Sequence, residues 1–375
     1  MKELPSLSNA QPAAQPAFGA QNLSRVRHVI AISSGKGGVG KSTVSVNLAL
    51  ALARTGAKVG LMDADVYGPS VPKMLGGALP PREKDGKLLP IQKEGIAFMS
   101  MALLTNEDSP VIWRGPMATK LIQHFLTQVE WGELDYLLID LPPGTGDVQL
   151  TLTQGAPLRG AVIVTTPQDV AVSVALRGIR MFDEVRVPIL GIVENMSGFV
   201  CSHCDHETPI FKSGGGEKTA EEFGFPFLGK IPIDPKLTLA ADEGDLSALD
   251  ASSSPARRAI DAIAARVITE ADRVQKLTEK NPIQPSRIDV SGAFVTLSWS
   301  DGLEGRVPSK RLRFDCPCAV CVDEDTGERK DIRDDVTPRG FRQVGRYGVQ
   351  ISWSDGHATG IYTFERLRDL SEIQA

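Results

Sequence analysis

Short apolar runs alternate with longer segments of helical period between Val26 and about Asp234. The runs are apolar almost throughout, which is typical of strands buried on both faces of a parallel sheet covered by helices. Seven runs predict such strands: His28–Ser33, Lys58–Asp63, Ile96–Met101, Tyr136–Asp140, Ala161–Thr165, Ile189–Glu194 and Phe227–Ile231. The pattern therefore predicts an α/β fold with a mostly parallel sheet.

The pattern changes after a helical segment predicted over Ala256–Glu279. Residues 281–286 contain two prolines and no apolar period, which predicts a linker. Residues 287–375 show short alternating runs typical of a small β-rich domain. Within them the sequence Ser298–Gly302 recurs as Ser352–Gly356. Two related hairpins with Asp-Gly turns, or a chance similarity of two hairpins, would account for this repeat.

The length of 375 residues allows two or three domains. We predict a flexible tail over residues 1–24, rich in Ala, Pro, Gln and Ser, and an α/β domain over residues 25–280. The formal net charge of -5 argues against a broad basic surface for nucleic acid or membrane. No run approaches the roughly 20 apolar residues of a membrane span, and no secretory signal is visible. We therefore expect a cytoplasmic protein without nucleic-acid or membrane partners.

The segment Gly35–Ser42 matches the phosphate-loop pattern G-x-x-x-x-G-K-[ST] between a predicted strand and a predicted helix. Its glycines let backbone N–H groups surround phosphates, and the helix N-terminus adds partial positive charge. Lys41 is expected to contact the β- and γ-phosphates, and the Ser42 hydroxyl to bind Mg²⁺. The predicted nucleotide-binding residues of this loop are Gly35, Lys36, Gly37, Gly38, Val39, Gly40, Lys41, Ser42 and Thr43.

Carboxylates follow two of the predicted strands at the edge where ligands of parallel sheets bind. Asp63 and Asp65 end one strand, and Asp140 ends another. Asp140 is expected to support Mg²⁺ in the Walker-B role, with Asp63 as a further Mg²⁺ residue. Asp63 or Asp65 would orient the attacking water, and the residues alone do not choose between them. The competing interpretation is that these acids only cap the turns that follow.

Lys36 directly follows the first glycine of the loop and is not needed to cradle phosphate. At this point the sequence resembles the deviant Walker A ATPases related to MinD, ParA and the arsenite-pump ATPases. In that group the extra lysine reaches across a homodimer to the partner's nucleotide. From about Val26 to Ala265 the resemblance narrows to the Mrp/ApbC family of iron–sulfur cluster carrier ATPases. The motifs that carry it are Asp63–Ser70, Asp140–Asp147, Glu194–Ser197 and Cys201-x-x-Cys204.

The resemblance implies roles for particular residues. Asp65 matches the aspartate that assists hydrolysis, so the implied catalytic residues are Lys36, Lys41 and Asp65. Asn195 matches the residue that reads adenine. No Asn-Lys-x-Asp guanine motif is present, which favours ATP over GTP.

All five cysteines lie in two closely spaced groups, which in a reducing compartment indicates metal or redox chemistry. Cys201 and Cys204 offer two thiolates, whereas a [4Fe–4S] cluster usually takes four. A symmetric homodimer would supply all four. The residues alone also allow a zinc site with Cys201, Cys204 and His203 or His206. The family resemblance favours a labile cluster that bridges the homodimer.

The second group, Cys316-x-Cys318-x-x-Cys321, offers three ligands, so a tetrahedral site lacks one. His357, just after the second Asp-Gly turn, is the best candidate for the fourth. The region from about Arg287 to Leu370 resembles the small domain at the N-terminus of gamma-butyrobetaine hydroxylase. In that domain a C-x-C-x-x-C motif and a distant histidine bind Zn²⁺. A second cluster site is the alternative.

Together these features predict a homodimeric, slow ATPase that carries a [4Fe–4S] cluster and passes it to apo-proteins. Cluster scaffold proteins are further expected partners. The alternative is a MinD/ParA-like positioning or partition switch, against which the acidic charge and the paired cysteines weigh. A zinc-dependent metal chaperone would differ only in the ion held by Cys201 and Cys204.

Overall fold

The structure is a computed structural model that describes most of the chain. It describes residues 19–374 except 66–67, 69, 78–79, 105–114, 145–146, 169–177, 202–203, 205, 212, 247–248, 250, 282, 319–320, 322–328 and 330–335. Some features named above lie outside the described residues: most of the predicted tail, Val66, Tyr67, Pro69, Thr145, Gly146 and His203.

The chain divides into two compact units, one over Pro16–Asp272 and one that includes Arg273–Ala375. The division falls within the helix Pro255–Lys280, and the first strand of the second unit begins at Pro285. The domain limits and the linker at residues 281–286 that the sequence indicates stay predictions.

The first unit is built on a nine-stranded sheet. Its strands and the separate β3–β4 hairpin are β1 (Val26–Ser34), β2 (Val59–Asp63), β3 (Glu83–Lys84), β4 (Lys87–Leu88), β5 (Ile91–Lys93), β6 (Ile96–Ser100), β7 (Leu134–Asp140), β8 (Gly160–Thr165), β9 (Ile189–Val200), β10 (Glu207–Thr208) and β11 (Phe227–Ile233). The order across the sheet is β10-β9-β8-β1-β7-β2-β6-β5, and β11 also pairs with β9. The central pairs are parallel, whereas β5 and β10 join antiparallel. The predicted fold class is confirmed.

Each of the seven predicted strands is present, and the central ones are buried along their length. Burial on both faces explains why these strands read as continuous apolar runs rather than as alternating ones. The main difference concerns β9, which the sequence predicts to end at Glu194 and which continues to Val200. Polar residues and glycine interrupt its apolar pattern from Glu194 to Gly198, so the continuous apolar run that marks a buried strand stops before the strand does.

Helices connect the strands of this unit. They are Lys41–Arg54, Val71–Met74, Gly115–Gln128, Asp147–Gly155, Gly215–Phe223, Pro235–Glu243 and Pro255–Lys280, together with residues 178–184. The helix at Pro235 shows why such segments start where they do. The Asp234 side chain accepts a hydrogen bond from the Lys236 N–H, and proline occupies the first helical position. No helix in the described stretches combines the length and apolar character needed to cross a membrane.

His28 is a fully buried histidine in β1, stacked on Tyr136 with ring centroids 5.2 Å apart and 3.4 Å from an Asp272 carboxylate oxygen. Burial, followed by the charge of Arg27, lowers the pKa of His28. The unfolded chain therefore takes up a proton first as the pH falls. The stability associated with neutral His28 is complete above about pH 6.5 and is lost as the pH falls toward the lower folded-state pKa.

We expect His28→Phe, which keeps a ring against Tyr136, to flatten the acid side of the stability profile. The free energy of urea unfolding should fall less steeply for this variant than for wild type between about pH 7 and pH 5. His124→Phe, at an exposed position, is the control for loss of a histidine and should follow wild type. Parallel curves for wild type and His28→Phe would contradict the assignment.

The second unit contains two small antiparallel sheets. Its strands are β12 (Pro285–Ser291), β13 (Phe294–Trp299), β14 (Glu304–Pro308), β15 (Pro338–Val344), β16 (Gly348–Trp353), β17 (Ile361–Thr363) and β18 (Glu372–Gln374). Short helices follow β14 and β17, at Ser309–Phe314 and Phe364–Leu370. One sheet has the order β12-β13-β14-β18 and the other β15-β16-β17.

The sequence repeat corresponds to a structural repeat of three strands and a helix. β12 to β14 and their helix form the first copy, and β15 to β17 and their helix form the second. The copies exchange ion pairs. Arg313 of the first helix contacts Asp355 of the second turn at 2.8 Å, and Arg368 of the second helix contacts Asp301 of the first turn at 2.6 Å. This reciprocal arrangement favours duplication over chance similarity.

Candidate nucleotide and metal sites

The phosphate loop joins the end of β1 at Ser34 to the helix that begins at Lys41. Gly38 and Gly40 both have φ of 77°, a left-handed conformation that glycine adopts without strain. A Cβ built on Gly37 or Gly38 would meet nothing within 4 Å, so this part of the loop faces open space. A helix N-terminus and a glycine-lined concavity are the two features that bind phosphate groups.

The buried Asp140 carboxylate contacts one ammonium and two hydroxyl groups of the helix that begins at Lys41. Lys41 Nζ lies 2.8 Å from Asp140 Oδ1, and the Ser42 hydroxyl donates to Oδ2 at 2.6 Å. The Ser45 hydroxyl donates to Oδ1, also at 2.6 Å. Sequence reasoning brought Lys41, Ser42 and Asp140 to one site, and the structure places them there. It missed Ser45, although the spacing of three residues from Ser42 puts both hydroxyls on one helix face.

Asp63 lies opposite Asp140 in the register of β2 and β7 and is fully buried. Burial, and then the neighbouring Asp140 carboxylate, raise the pKa of Asp63 to about 7. Its carboxylate accepts hydrogen bonds from the Ser100 hydroxyl at 2.8 Å and from the Asp65 N–H at 3.2 Å. Asp65 lies just past the strand and accepts from the Gly68 N–H. The two aspartates therefore have different surroundings. The Asp63 carboxylate lies beside that of Asp140, whereas Asp65 bonds to the loop that follows β2.

Asn195 is nearly buried and contacts the phosphate loop rather than open space. Its Nδ2 donates to the Val39 carbonyl at 2.9 Å. A Cβ on Gly40 would overlap the same amide, so the loop and the asparagine pack closely. Contact with adenine by Asn195 stays a prediction. Lys36 is a half-buried residue of the loop, and its contact with a partner's nucleotide also stays a prediction.

Cys201 and Cys204 lie on the hairpin between β9 and β10. Val200 pairs with Glu207, and the Cys201 N–H donates to the His206 carbonyl at 3.0 Å. Cys204 is exposed and Cys201 partly buried. Among the described residues no third metal-ligating side chain joins these two, so each chain offers two thiols here.

Glu194 lies in β9, the first strand of this hairpin, and belongs to a motif of the family resemblance to which the sequence assigned no role. Its buried carboxylate accepts from the Ser197 hydroxyl at 2.5 Å and from the N–H groups of Gly214 at 3.0 Å and Gly216 at 2.6 Å. The partial positive charge at the N-terminus of the helix Gly215–Phe223 stabilises this carboxylate. It therefore fixes the glycine segment beside the cysteine hairpin.

In the second unit, Cys316, Cys318, Cys321 and His357 converge with their ligand atoms within 4.8 Å of one another. His357 Nε2 lies 3.2 Å from Cys316 Sγ, 3.5 Å from Cys318 Sγ and 3.6 Å from Cys321 Sγ. Cys316 Sγ and Cys318 Sγ are 3.7 Å apart. A tetrahedral ion with bonds of about 2.0–2.3 Å separates neighbouring ligand atoms by roughly 3.5–3.8 Å. The four side chains therefore fit one mononuclear metal ion.

Residues around this centre hold its ligands in place. Arg313 Nη1 donates to Cys321 Sγ at 3.2 Å, and its Nε donates to Asp355 at 3.0 Å. Asp355 in turn accepts from the His357 N–H at 3.0 Å, so one chain of hydrogen bonds joins thiol and histidine segments. Burial raises the pKa of Cys316 to about 12, so a metal ion must displace its proton on binding. Sequence reasoning missed Arg313, because an arginine in a short helix carries no ligand signal.

Two family models match the chain. The first is described as the NUBPL iron-transfer P-loop NTPase (ParA) and matches residues 25–268. The second is described as gamma-butyrobetaine hydroxylase-like, N-terminal, and matches residues 286–368. Both resemblances indicated by the motifs are thereby confirmed.

Individual relatives agree with the first match. The chain is similar to the iron-sulfur cluster carrier protein of Haemophilus influenzae, with 49% identity over 247 residues, 65% of this chain and 67% of that protein. The protein of the same description from Methanocaldococcus jannaschii is 53% identical over 228 residues, 60% of this chain and 79% of that protein. Among solved structures, a nucleotide-binding protein in complex with ADP from Archaeoglobus fulgidus is 40% identical. Its TM-score is 0.56, with coverage of 62% of this chain and 93% of that one. A match over nearly all of the unit with the phosphate loop and the cysteine hairpin shows that the chain belongs to the NUBPL iron-transfer P-loop NTPase family.

Proposed function

We propose that this protein hydrolyses ATP and carries a [4Fe–4S] cluster to recipient apo-proteins. The observation that carries the proposal is that one compact unit holds both a phosphate loop with buried acids and a pair of thiols, of which Cys204 is exposed and Cys201 partly buried. Family members of known description are iron–sulfur cluster carriers, and the family model covers this unit. A positioning switch would need the phosphate loop but would leave the paired thiols without a role.

The nucleotide site is proposed to work by exchange of contacts around Asp140. With ATP and Mg²⁺ bound, Lys41 would contact the β- and γ-phosphates in place of Asp140, and the Ser42 hydroxyl would be a ligand of the ion. Asp140 would keep its hydrogen bond from Ser45 and support the ion, with Asp63 beside it. Mg²⁺ supplies charge neutralisation on the phosphate oxygens. Asp65, at the start of the loop after β2, is proposed to orient the attacking water, and Lys36 to act on a partner's nucleotide.

The cluster is the cargo, and a second copy of the chain is proposed to complete its binding site. Cys201 and Cys204 supply two thiolates, and the same hairpin of a partner supplies two more. Exposed apolar side chains support a covered face on this side of the sheet. Met117, Leu150 and Leu239 lie in helices that follow the parallel strands β6, β7 and β11, and Ile210 and Phe211 follow β10 of the cysteine hairpin. A homodimer that meets through this edge would bury part of them.

The second unit is proposed to hold one Zn²⁺ at Cys316, Cys318, Cys321 and His357. Four of the six ligand separations are 3.2–3.7 Å and all are within 4.8 Å, which supports a single ion. A cubane cluster places each ligand on a different iron atom, which requires the ligand atoms to lie further apart. Three thiolates and one imidazole are a common zinc donor set.

Metal analysis of anaerobically purified protein tests these assignments. Wild type should contain about two irons per chain, half of a [4Fe–4S] cluster, with matching sulfide and about one zinc. The double variant Cys201→Ala/Cys204→Ala should lose the iron and keep the zinc, and Cys318→Ala should show the reverse pattern. Wild type that holds two zincs and no iron, and that cannot be reconstituted with iron and sulfide, would contradict the carrier function.

A further inference from the structure

We infer that Asn195 is a positioning residue that ties the phosphate loop to the cysteine hairpin through strand β9, so that nucleotide binding changes the exposure of Cys201. The inference rests on the proposed function for the roles of the two sites. It adds the residue and the strand through which one site acts on the other.

The first part of the connection is the contact with the phosphate loop. The Asn195 amide donates to the Val39 carbonyl, and it lies where a Cβ of residue 40 would be. The Met196 methyl group also lies near that position, at 3.7 Å. Phosphate binding engages the N–H groups of this same loop. A rearrangement of the loop therefore changes the contacts of Asn195, which is almost fully buried.

The second part is the strand itself. β9 runs without a break from Ile189 to Val200, and Cys201 is the next residue. Asn195 and Cys201 are six residues apart, a distance of at most roughly 20 Å for a fully extended strand. Glu194, beside Asn195, is bonded to Gly214 and Gly216, so the glycine segment near the hairpin follows the same strand. A shift at residues 194–195 therefore reaches both segments that flank the cysteines.

The third part is a local irregularity that gives the strand an alternative geometry. Met196 has φ of 56° and Gly198 has φ of 80°, both left-handed within a strand. Opposite them, the register with β11 shifts between Ile231 and Ile233. Such bulges bend a strand and re-aim its side chains, and a non-glycine residue in the left-handed region stores backbone strain. This strained backbone lies between Asn195, which contacts the phosphate loop, and the cysteine hairpin. Strained backbone is typical of segments that switch between two arrangements.

Cysteine alkylation in the apo-protein measures this connection without a cluster. Full-length protein, free of iron, is treated with iodoacetamide with and without saturating Mg-ATP, and labelling of each cysteine is followed by peptide mass spectrometry. In wild type we expect ATP to change the alkylation rate of Cys201 by about five-fold or more, the lower range of coupling between sites. In Asn195→Ala this response should fall to less than about two-fold at saturation, which corresponds to a coupling below that range.

Two further variants separate positioning from folding and from binding. Asn195→Asp has nearly the same shape but no N–H to donate to Val39, and it should also lose the response. Asn22→Ala is the matched control, since the Asn22 amide likewise donates to backbone carbonyls, of Leu126 and Val129, and it should respond like wild type. Saturation is set for each variant by equilibrium binding of a fluorescent ATP analogue.

The outcomes distinguish this inference from the proposed function. A full response of Cys201 in both Asn195 variants would overturn the inference. Loss of all nucleotide binding in both would also overturn it, because contact of Asn195 with the nucleotide, rather than with Val39, would then explain its effect. An unresponsive Cys201 in wild type would also overturn it. A wild type that responds but never takes up iron would leave the Asn195 connection standing and remove the carrier function.

Discussion

Lys41→Ala is expected to lower the rate of ATP hydrolysis by about 100-fold or more, the range found when one group that stabilises developing negative charge is removed. In the structure Lys41 is buried, and its Nζ lies 2.8 Å from Asp140 Oδ1. In the proposed ATP complex the same ammonium moves to the phosphates. No other lysine of the loop can replace it, because Lys36 lies at the opposite end of the loop. Steady-state release of phosphate measures the effect.

The same substitution also leaves the Asp140 carboxylate buried without its cation and beside Asp63. Breaking a buried ion pair from one side destabilises proteins by about 3–5 kcal/mol. Adding Asp140→Asn to Lys41→Ala removes the unpaired charge, so the double variant should regain part of the stability but none of the hydrolysis. Lys58→Ala, at an exposed lysine near Glu133, is the control and should hydrolyse ATP at the wild-type rate. Normal hydrolysis by a well-folded Lys41→Ala would contradict the assignment of this site.

Cys316→Ser is expected to remove the metal of the second unit and most of that unit's stability. Cys316 is fully buried in the core that also contains Trp353 and Tyr362. Metal binding at sites of this kind supplies much of the folding free energy, about 10–16 kcal/mol for structural Zn²⁺ in small peptides. A hydroxyl ligates zinc poorly and would remain as a buried polar group. Zinc content should fall from about one per chain to near zero.

Unfolding measurements resolve where this loss occurs. The transition reported by near-ultraviolet signals of Trp299 and Trp353 should disappear or shift strongly downward, and binding of nucleotide to the first unit should persist. Cys201→Ser makes the same chemical change in the other unit and should leave zinc content and this transition unchanged. Full zinc content in Cys316→Ser would contradict the ligand assignment. Iron and sulfide in the second unit of wild type would favour the cluster alternative.

Local sequence patterns predicted much of the fold and of the candidate sites. The strands of the first unit were predictable because burial on both faces makes them continuously apolar, as in β2 and β8. The phosphate loop was predictable because its glycines, lysine and serine each have a separate task in binding phosphate and Mg²⁺ and stand at fixed spacing. His357 was predictable because three thiols lacked a fourth ligand and the repeat brought the second turn toward the first copy.

Contacts that depend on the folded chain were not predictable. The extension of β9 beyond Glu194 has no continuous apolar run, and the hydrogen bond from Asn195 to Val39 joins residues 156 positions apart. The pairing of Asp63, rather than Asp65, with Asp140 depends on strand register. The ion pairs between the two copies were likewise not predictable from the sequence. Asp301 and Asp355 each lie at a similar sequence distance from an arginine of their own copy. Only the packing pairs each of them with the arginine of the opposite copy.

The metal centre of the second unit joins two parts of the chain that are made at different times. Its three thiols follow the first copy, and His357, 36–41 residues further along, belongs to the second. A growing chain therefore presents three thiols before their fourth partner exists. The chain between them must close before the proposed tetrahedral site is complete, and a bound ion would then offset the entropy of that closure. Full occupancy of the proposed site would thus report that the whole duplicated unit has been synthesised and assembled, and a truncated chain would display open thiols instead.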